Sequence, residues 1–149
     1  MKAWIAWFLG LFVLAAFFTP ALGFEDVIVH PSCAICGMDR GEFGYSRMLI
    51  EFEDGKTFGT CSLRCAAWLL QAEEEKKARS VKVADYGTRE LIDANEAQWV
   101  IGGKKPGVMT GLAKWAFRDG KDAERFLDGF GGARSTYREA LREALRELE

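Results

Sequence analysis

Four cysteines stand in two close pairs, Cys33-x-x-Cys36 and Cys61-x-x-x-Cys65. Cysteines at such spacings can aim both sulfurs at one ion, and two such pairs can close a tetrahedral thiolate site. Two methionines add to them. Met38 lies two residues beyond Cys36, and Met109 follows the loop Gly102-Gly103-Lys104-Lys105-Pro106-Gly107. Thioether sulfur is soft, which suits Cu(I) and makes a poor ligand for zinc. Cys33, Cys36, Met38, Cys61, Cys65 and Met109 are therefore the candidate metal ligands, with Cu(I) the favoured ion and Zn the alternative. The other reading of the two methionines is core packing, a common use of that side chain. His30, the single histidine, stands three residues before Cys33 and is expected at the surface.

The same cysteines fit two other chemistries. They could hold a structural zinc or pair as two disulfides, stapling a small exported interaction domain. Cys33-x-x-Cys36 also has the spacing of a thiol–disulfide oxidoreductase, but no strand runs from it into a helix as in a βαβ unit. Other classes fit worse. A lone histidine does not furnish a Ser-His-Asp centre. The loop 102–107 lacks the spacing and the following Ser or Thr of a phosphate-binding loop. A formal net charge of -2 leaves no basic footprint for nucleic acid. The expected protein is a binding protein and not an enzyme.

Several elements must position these sulfurs. An extended stretch is expected over 27–30, then a loop carrying Cys33 to Met38. A strand over 45–52 and a second over 57–60 flank Asp54-Gly55, a hairpin signal. Ser62 is a candidate N-cap for a helix over 66–78, which places Cys61 and Cys65 at a strand-to-helix junction. Helix N-termini favour thiolate over thiol. Further strands are expected over 81–84, 90–93, 97–101 and 115–117, with Trp99 and Trp115 in the core. Asp119-Gly120 reads as another hairpin signal, followed by a helix over 121–128 closed by Gly129, Gly131 and Gly132. Ser135 is expected to cap a final helix over 135–148, in which Leu141, Leu145 and Leu148 recur on one face. Arg138, Arg142 and Arg146 share another face of it, best read as solvated.

Phe52-Glu53-Asp54-Gly55-Lys56 is echoed by Phe117-Arg118-Asp119-Gly120-Lys121, each ahead of a helix and each after a loop with glycine and methionine. The expected fold class is α+β, two small related β-hairpin-plus-helix units, about 30–85 and 90–132, with a C-terminal amphipathic helix. Residues 1–23 differ from the rest: Lys2 is the only charge, residues 3–19 are apolar, and Ala21-Leu22-Gly23 places small residues at the positions read by a signal peptidase. They are expected to be a signal peptide cleaved after Gly23, leaving 24–149 as one periplasmic or extracytoplasmic domain. The apolar run is at the low edge for crossing a bilayer, so the N-terminal segment, if uncleaved, is the one expected membrane contact. No cysteine lies beside the cleavage site to accept a lipid.

Cys33-Ala34-Ile35-Cys36-Gly37-Met38-Asp39 resembles the CxxCGM signature of the NosL family, accessory proteins of nitrous oxide reductase. Asp93-Ala94-Asn95-Glu96-Ala97-Gln98-Trp99-Val100-Ile101-Gly102-Gly103, Pro106-Gly107-Val108-Met109 and Trp115-Ala116-Phe117 extend the resemblance, which covers roughly residues 30–132. It implies a periplasmic copper chaperone with Cys36, Met38 and Met109 as Cu(I) ligands and Cys33 next. It also implies an α+β fold of two related units, and a copper enzyme such as nitrous oxide reductase as the partner. Two features depart from the family: the absence of a lipid-accepting cysteine, and Cys61-Ser62-Leu63-Arg64-Cys65, which looks like the second half of a TRASH-type metal motif.

Overall fold

A computed structural model describes residues 24–149, so the signal-peptide reading of residues 1–23 lies outside the described residues. Among the described residues no helix is long and apolar enough to cross a membrane. The elements in chain order are α1 (Glu25–Val29), β1 (Met48–Phe52), β2 (Thr57–Thr60), α2 (Leu63–Ala72), β3 (Ala78–Ala84), β4 (Leu91–Asp93), β5 (Gln98–Ile101), β6 (Lys114–Phe117), α3 (Gly120–Phe130), β7 (Ala133–Ser135) and α4 (Tyr137–Arg146). The fold is α+β with two antiparallel sheets, ordered β2-β1-β3-β4 and β6-β5-β7.

The two sheets are built alike. In each, a hairpin is followed by a helix, and the strand after that helix returns antiparallel to the first strand of the hairpin. The expected pair of related units is thus present as two ββαβ motifs, but the Asp-Gly echo does not align them. Asp54-Gly55 turns the β1–β2 hairpin, whereas Asp119 caps α3, its side chain accepting from the Lys121 N–H at 2.8 Å. The expected second hairpin turn at Asp119-Gly120 is a helix start, because Asp is as good an N-cap as it is a turn residue. The methionine loops are not equivalent either. Met38 precedes the first hairpin, while Met109 lies within the second, between β5 and β6.

In β1 the side chains alternate: Met48, Ile50 and Phe52 are fully buried, and Leu49 and Glu51 face outward. The buried set packs with Leu63, Ala66, Ala67 and Leu69 of α2. The whole of β6 is buried, which a half-exposed strand would not be. Trp115 and Phe117 point into an aromatic cluster with Ala123 and Phe126 of α3, while Ala116 joins the core of the first unit. The second sheet is therefore covered on both faces. Helix α4 packs on α2 and on β5, with Ala140 and Ala144 fully buried at the contact, so it joins the two units.

Several expected boundaries move. Residues 25–29 form a short helix, not an extended stretch, although Val27, Ile28 and Val29 favour strands. Tertiary context decides it: Asp26 is drawn inward to two buried arginines. The first strand begins at Met48, since residues 41–46 turn and send Tyr45 into the aromatic cluster. Helix α2 starts at Leu63 and ends at Ala72, earlier at both ends than expected. Its stop precedes Glu73-Glu74-Glu75, whose negative charge opposes the negative end of the helix dipole. Ser62 occupies the N-cap position without a side-chain cap hydrogen bond. Ser135 closes β7, a strand absent from the expectations, and Thr136 caps α4 through a reciprocal capping box with Glu139.

Candidate metal centre

The loop carrying Cys33 and Cys36 folds back on itself. The Cys33 N–H donates to the Met38 carbonyl at 2.8 Å and the Gly37 N–H to the Cys33 carbonyl at 2.9 Å. Gly37 sits at φ 76°, a left-handed conformation that glycine adopts without a Cβ penalty. The Ala34 N–H donates to the Gly59 carbonyl at 2.9 Å, which ties the loop to β2. At the end of that strand the chain bends through Cys61 and Ser62 into α2, and Cys65 falls in the first turn of the helix. A hydrogen bond of 2.8 Å from the Ser46 hydroxyl to the Cys61 carbonyl fixes the bend.

These two segments bring all four cysteines together. Their sulfurs lie within 4.8 Å of one another. Cys36 Sγ is 3.4 Å from Cys61 Sγ, and Cys61 Sγ is 3.7 Å from Cys65 Sγ. All four are free thiols. Tetrahedral coordination with metal–sulfur bonds of about 2.3 Å requires sulfur–sulfur edges of about 3.8 Å, so small side-chain shifts close the set on one ion. Cys33, Cys61 and Cys65 are buried and Cys36 is half-buried, which gives the cluster one partly open side.

The thiols perturb one another. Hydrogen bonds from Cys61 and Cys65 hold the Cys33 pKa far below the usual thiol range. Cys33 in turn raises Cys61, and its hydrogen bond pushes Cys65 up to about 12. The physical content is that one thiolate is shared among hydrogen-bonded neighbours, and a second is opposed by the first and by burial.

The expected methionines occupy different positions. Met38 is half-buried and packs against the cysteine cluster, alongside Ile35, Phe43 and Tyr45. Met109 is 42% exposed, but its neighbour Val108 is buried in the wall of the cluster, which brings the second unit to the site. His30 lies outside the cluster, its Nε2 at 2.9 Å from the Thr57 hydroxyl. An open groove with a volume of about 600 Å³ is lined by His30, Leu49, Thr57, Lys82, Leu91 and Arg118 among others, and includes none of the cysteines. The sulfur chemistry, not this groove, marks the candidate site.

Sequence reasoning missed the groups that hold the cysteine loop in place. Arg40, two residues after Met38, is fully buried. Its Nη2 lies 2.6 Å from Asp26 Oδ2, and the guanidinium also donates to the carbonyls of His30 (2.5 Å), Met48 (2.8 Å), Asp26 (3.1 Å) and Thr60 (3.2 Å). Arg47, also fully buried, donates to Asp26 Oδ1 at 2.9 Å and to the Gly44 and Arg89 carbonyls at 2.7 Å each. Burial alone would raise the Asp26 pKa, but hydrogen bonds and charge from Arg47 and then Arg40 hold it below the usual carboxylate range. A Cβ on Gly59 would lie 2.4 Å from the Arg40 guanidinium carbon. The one available sequence signal was that glycine inside a strand, which marks a close approach.

The NosL family model matches residues 27–145. Among solved structures, the crystal structure of the copper chaperone NosL from Shewanella denitrificans superposes with a TM-score of 0.59 at 25% identity, over 72% of this chain and 87% of that one. No curated protein sequence matches the chain.

Proposed function

This chain belongs to the NosL family, and on that premise we propose that it is a copper carrier which binds Cu(I) as cargo outside the cytoplasm and passes it to a copper enzyme. Nitrous oxide reductase is the acceptor the family resemblance implies. The observation that carries the reading is the convergence of four free thiols with Met38 on their wall and the Met109 loop at their edge. Thiolates suit both zinc and Cu(I), and the two thioethers shift the preference toward Cu(I). The similarity to a solved copper chaperone supports the same cargo.

The roles follow from position. Cys36 is the half-buried sulfur, so it is the ligand a partner reaches first. Met38 and Met109 supply neutral thioethers, which hold Cu(I) without adding charge. Cys33 supplies a ready thiolate, and Cys61 and Cys65 complete or relay the site from the base of α2. Transfer then proceeds by ligand exchange: a sulfur or imidazole of the acceptor binds the ion as a ligand of this chain leaves.

A second reading rests on a specific observation. Three of the four cysteines are buried, as in closed four-thiolate zinc sites that serve stability alone. The two readings separate in one experiment. Reduced protein is titrated with Cu(I) against a competing chelator, and wild type is compared with Met38→Leu, Met109→Leu and the double variant. The carrier reading expects one tightly held Cu(I) and a loss of affinity in the double variant. Retention of zinc, with no dependence on either methionine, would establish the structural reading instead.

A further inference from the structure

Met109 is one of two residues other than glycine with positive φ among the described residues, at 54°. A side chain in the left-handed region costs of order 1 kcal/mol or more and persists only where its surroundings enforce it. Here both flanks enforce it. On one side Val108 is buried among the cysteines. On the other, the Thr110 hydroxyl is 2.5 Å from Glu147 Oε2, and the Leu112 N–H donates to Glu147 Oε1 at 3.0 Å. Lys114, its side chain 2% exposed, closes the arrangement: Nζ lies 3.2 Å from Glu147 Oε2, 3.0 Å from the Thr110 hydroxyl and 2.7 Å from the Leu112 carbonyl. Gly107 completes the tight fold of the loop, since a Cβ there would lie 2.4 Å from Thr110 Cγ2.

Glu147 is the C-cap of α4, and α4 packs on α2, the helix that carries Cys65. A continuous chain of contacts therefore runs from Cys65 through α2 and α4 to Glu147, and from Glu147 to the residue beside Met109. We propose that Glu147 is a positioning residue for the metal centre: through Thr110, Leu112 and Lys114 it holds the Met109 loop so that the thioether is presented to the cysteine cluster. This rests on the reading of Met109 as a Cu(I) ligand. The buried ammonium and the half-buried carboxylate neutralise each other, so the clamp orients the loop without adding net charge near the ion.

The test uses Glu147→Gln, which keeps the shape and removes the charge. A second variant, Thr110→Val, cuts the hydroxyl link and leaves the Lys114–Glu147 pair. Each is made alone and combined with Met109→Leu in the protein spanning residues 24–149, and Cu(I) affinity is measured by chelator competition alongside thermal unfolding of the metal-free protein. Loss of an outer-sphere support for a ligand weakens metal binding roughly tenfold to a hundredfold. The expected result is a loss of that size in either single variant, none further in the Met109→Leu background, and one fewer sulfur neighbour in the copper X-ray absorption spectrum. Equal losses in both backgrounds would mean that Glu147 acts only on general stability and would overturn the proposal. So would unchanged affinity in Glu147→Gln and Thr110→Val while Met109→Leu is weakened, an outcome that leaves the copper-carrier reading standing. If Met109→Leu itself binds Cu(I) as wild type does, the ligand role fails and the positioning role falls with it.

Discussion

At the scale of single residues, Asp26 carries an unusual share of the structure. It is the carboxylate partner of two fully buried guanidinium groups, and both help seat the cysteine loop. Asp26→Asn removes the carboxylate that these two charges share, and removing one partner of a buried pair costs roughly 3–5 kcal/mol. Urea unfolding at neutral pH measures that loss directly. The pH dependence has a definite sign. Because the folded-state pKa of Asp26 is depressed, its stabilisation is present above the ordinary carboxylate range and is lost as pH falls through the folded value. Acid unfolding of wild type should therefore be steeper below pH 4 or so than that of Asp26→Asn. The cysteines predict the opposite experiment on binding. Cys61 is raised and Cys65 is pushed up to about 12, so metal must displace protons from them. Affinity for Cu(I) should climb with pH, about tenfold per unit for each thiol deprotonated on binding. Competition titrations at several pH values test this, and a flat profile would remove Cys61 and Cys65 from the ligand set.

At the scale of elements, β2 and the loop before β1 act as one piece. The loop hangs on the Gly59 carbonyl, and the Arg40 side chain crosses Gly59 where a Cβ would stand. Gly59→Ala must push the guanidinium out of a network of five hydrogen bonds to four residues. Overpacking of this kind costs about 1–3 kcal/mol. A lowered urea midpoint together with weaker Cu(I) binding is the expected outcome, because the displaced arginine and the cysteine loop move together. The loop, the β2–α2 bend and the Met109 turn are all irregular segments. Each is held by hydrogen bonds to residues outside the segment: the Gly59 carbonyl for the loop, the Ser46 hydroxyl for the bend and the Glu147 carboxylate for the Met109 turn.

At the scale of the whole molecule, the site lies where the two ββαβ units meet. The cysteines and Met38 come from the first unit, and Val108 and the Met109 loop from the second. Metal binding should therefore stabilise the joint and not one unit alone. A ligand held by the folded state adds RT ln(1 + [L]/Kd), about 4 kcal/mol at a thousandfold excess over Kd. Calorimetry of protein loaded with Cu(I) should show a single transition at higher temperature, returned to the metal-free value by a strong Cu(I) chelator. Two separated transitions, with only the first unit stabilised, would show that the second unit makes no contact with the ion.

The fold class and the two cysteine pairs were legible in the chain because each rests on local signals, whereas the echo that suggested two units matched a hairpin turn to a helix cap. Aromatic and aliphatic residues over 45–52, turn residues at Asp54-Gly55 and cysteine spacing all act over a few positions. The convergence of Cys33-x-x-Cys36 with Cys61-x-x-x-Cys65 could be expected from chemistry, and the structure brings their sulfurs within 4.8 Å. Other features belong to the tertiary structure alone. Asp26 winds a β-branched stretch into a helix because two arginines distant in sequence wait for its carboxylate. Asp119-Gly120 starts a helix where the same dipeptide at 54–55 turns a hairpin. Glu147 meets Thr110 and Lys114 only after α4 has packed on α2 and β5. Spacing in sequence specifies which atoms can share an ion or a turn, but buried charges find their partners only once the core has packed, since only burial makes an unpaired charge too costly to keep.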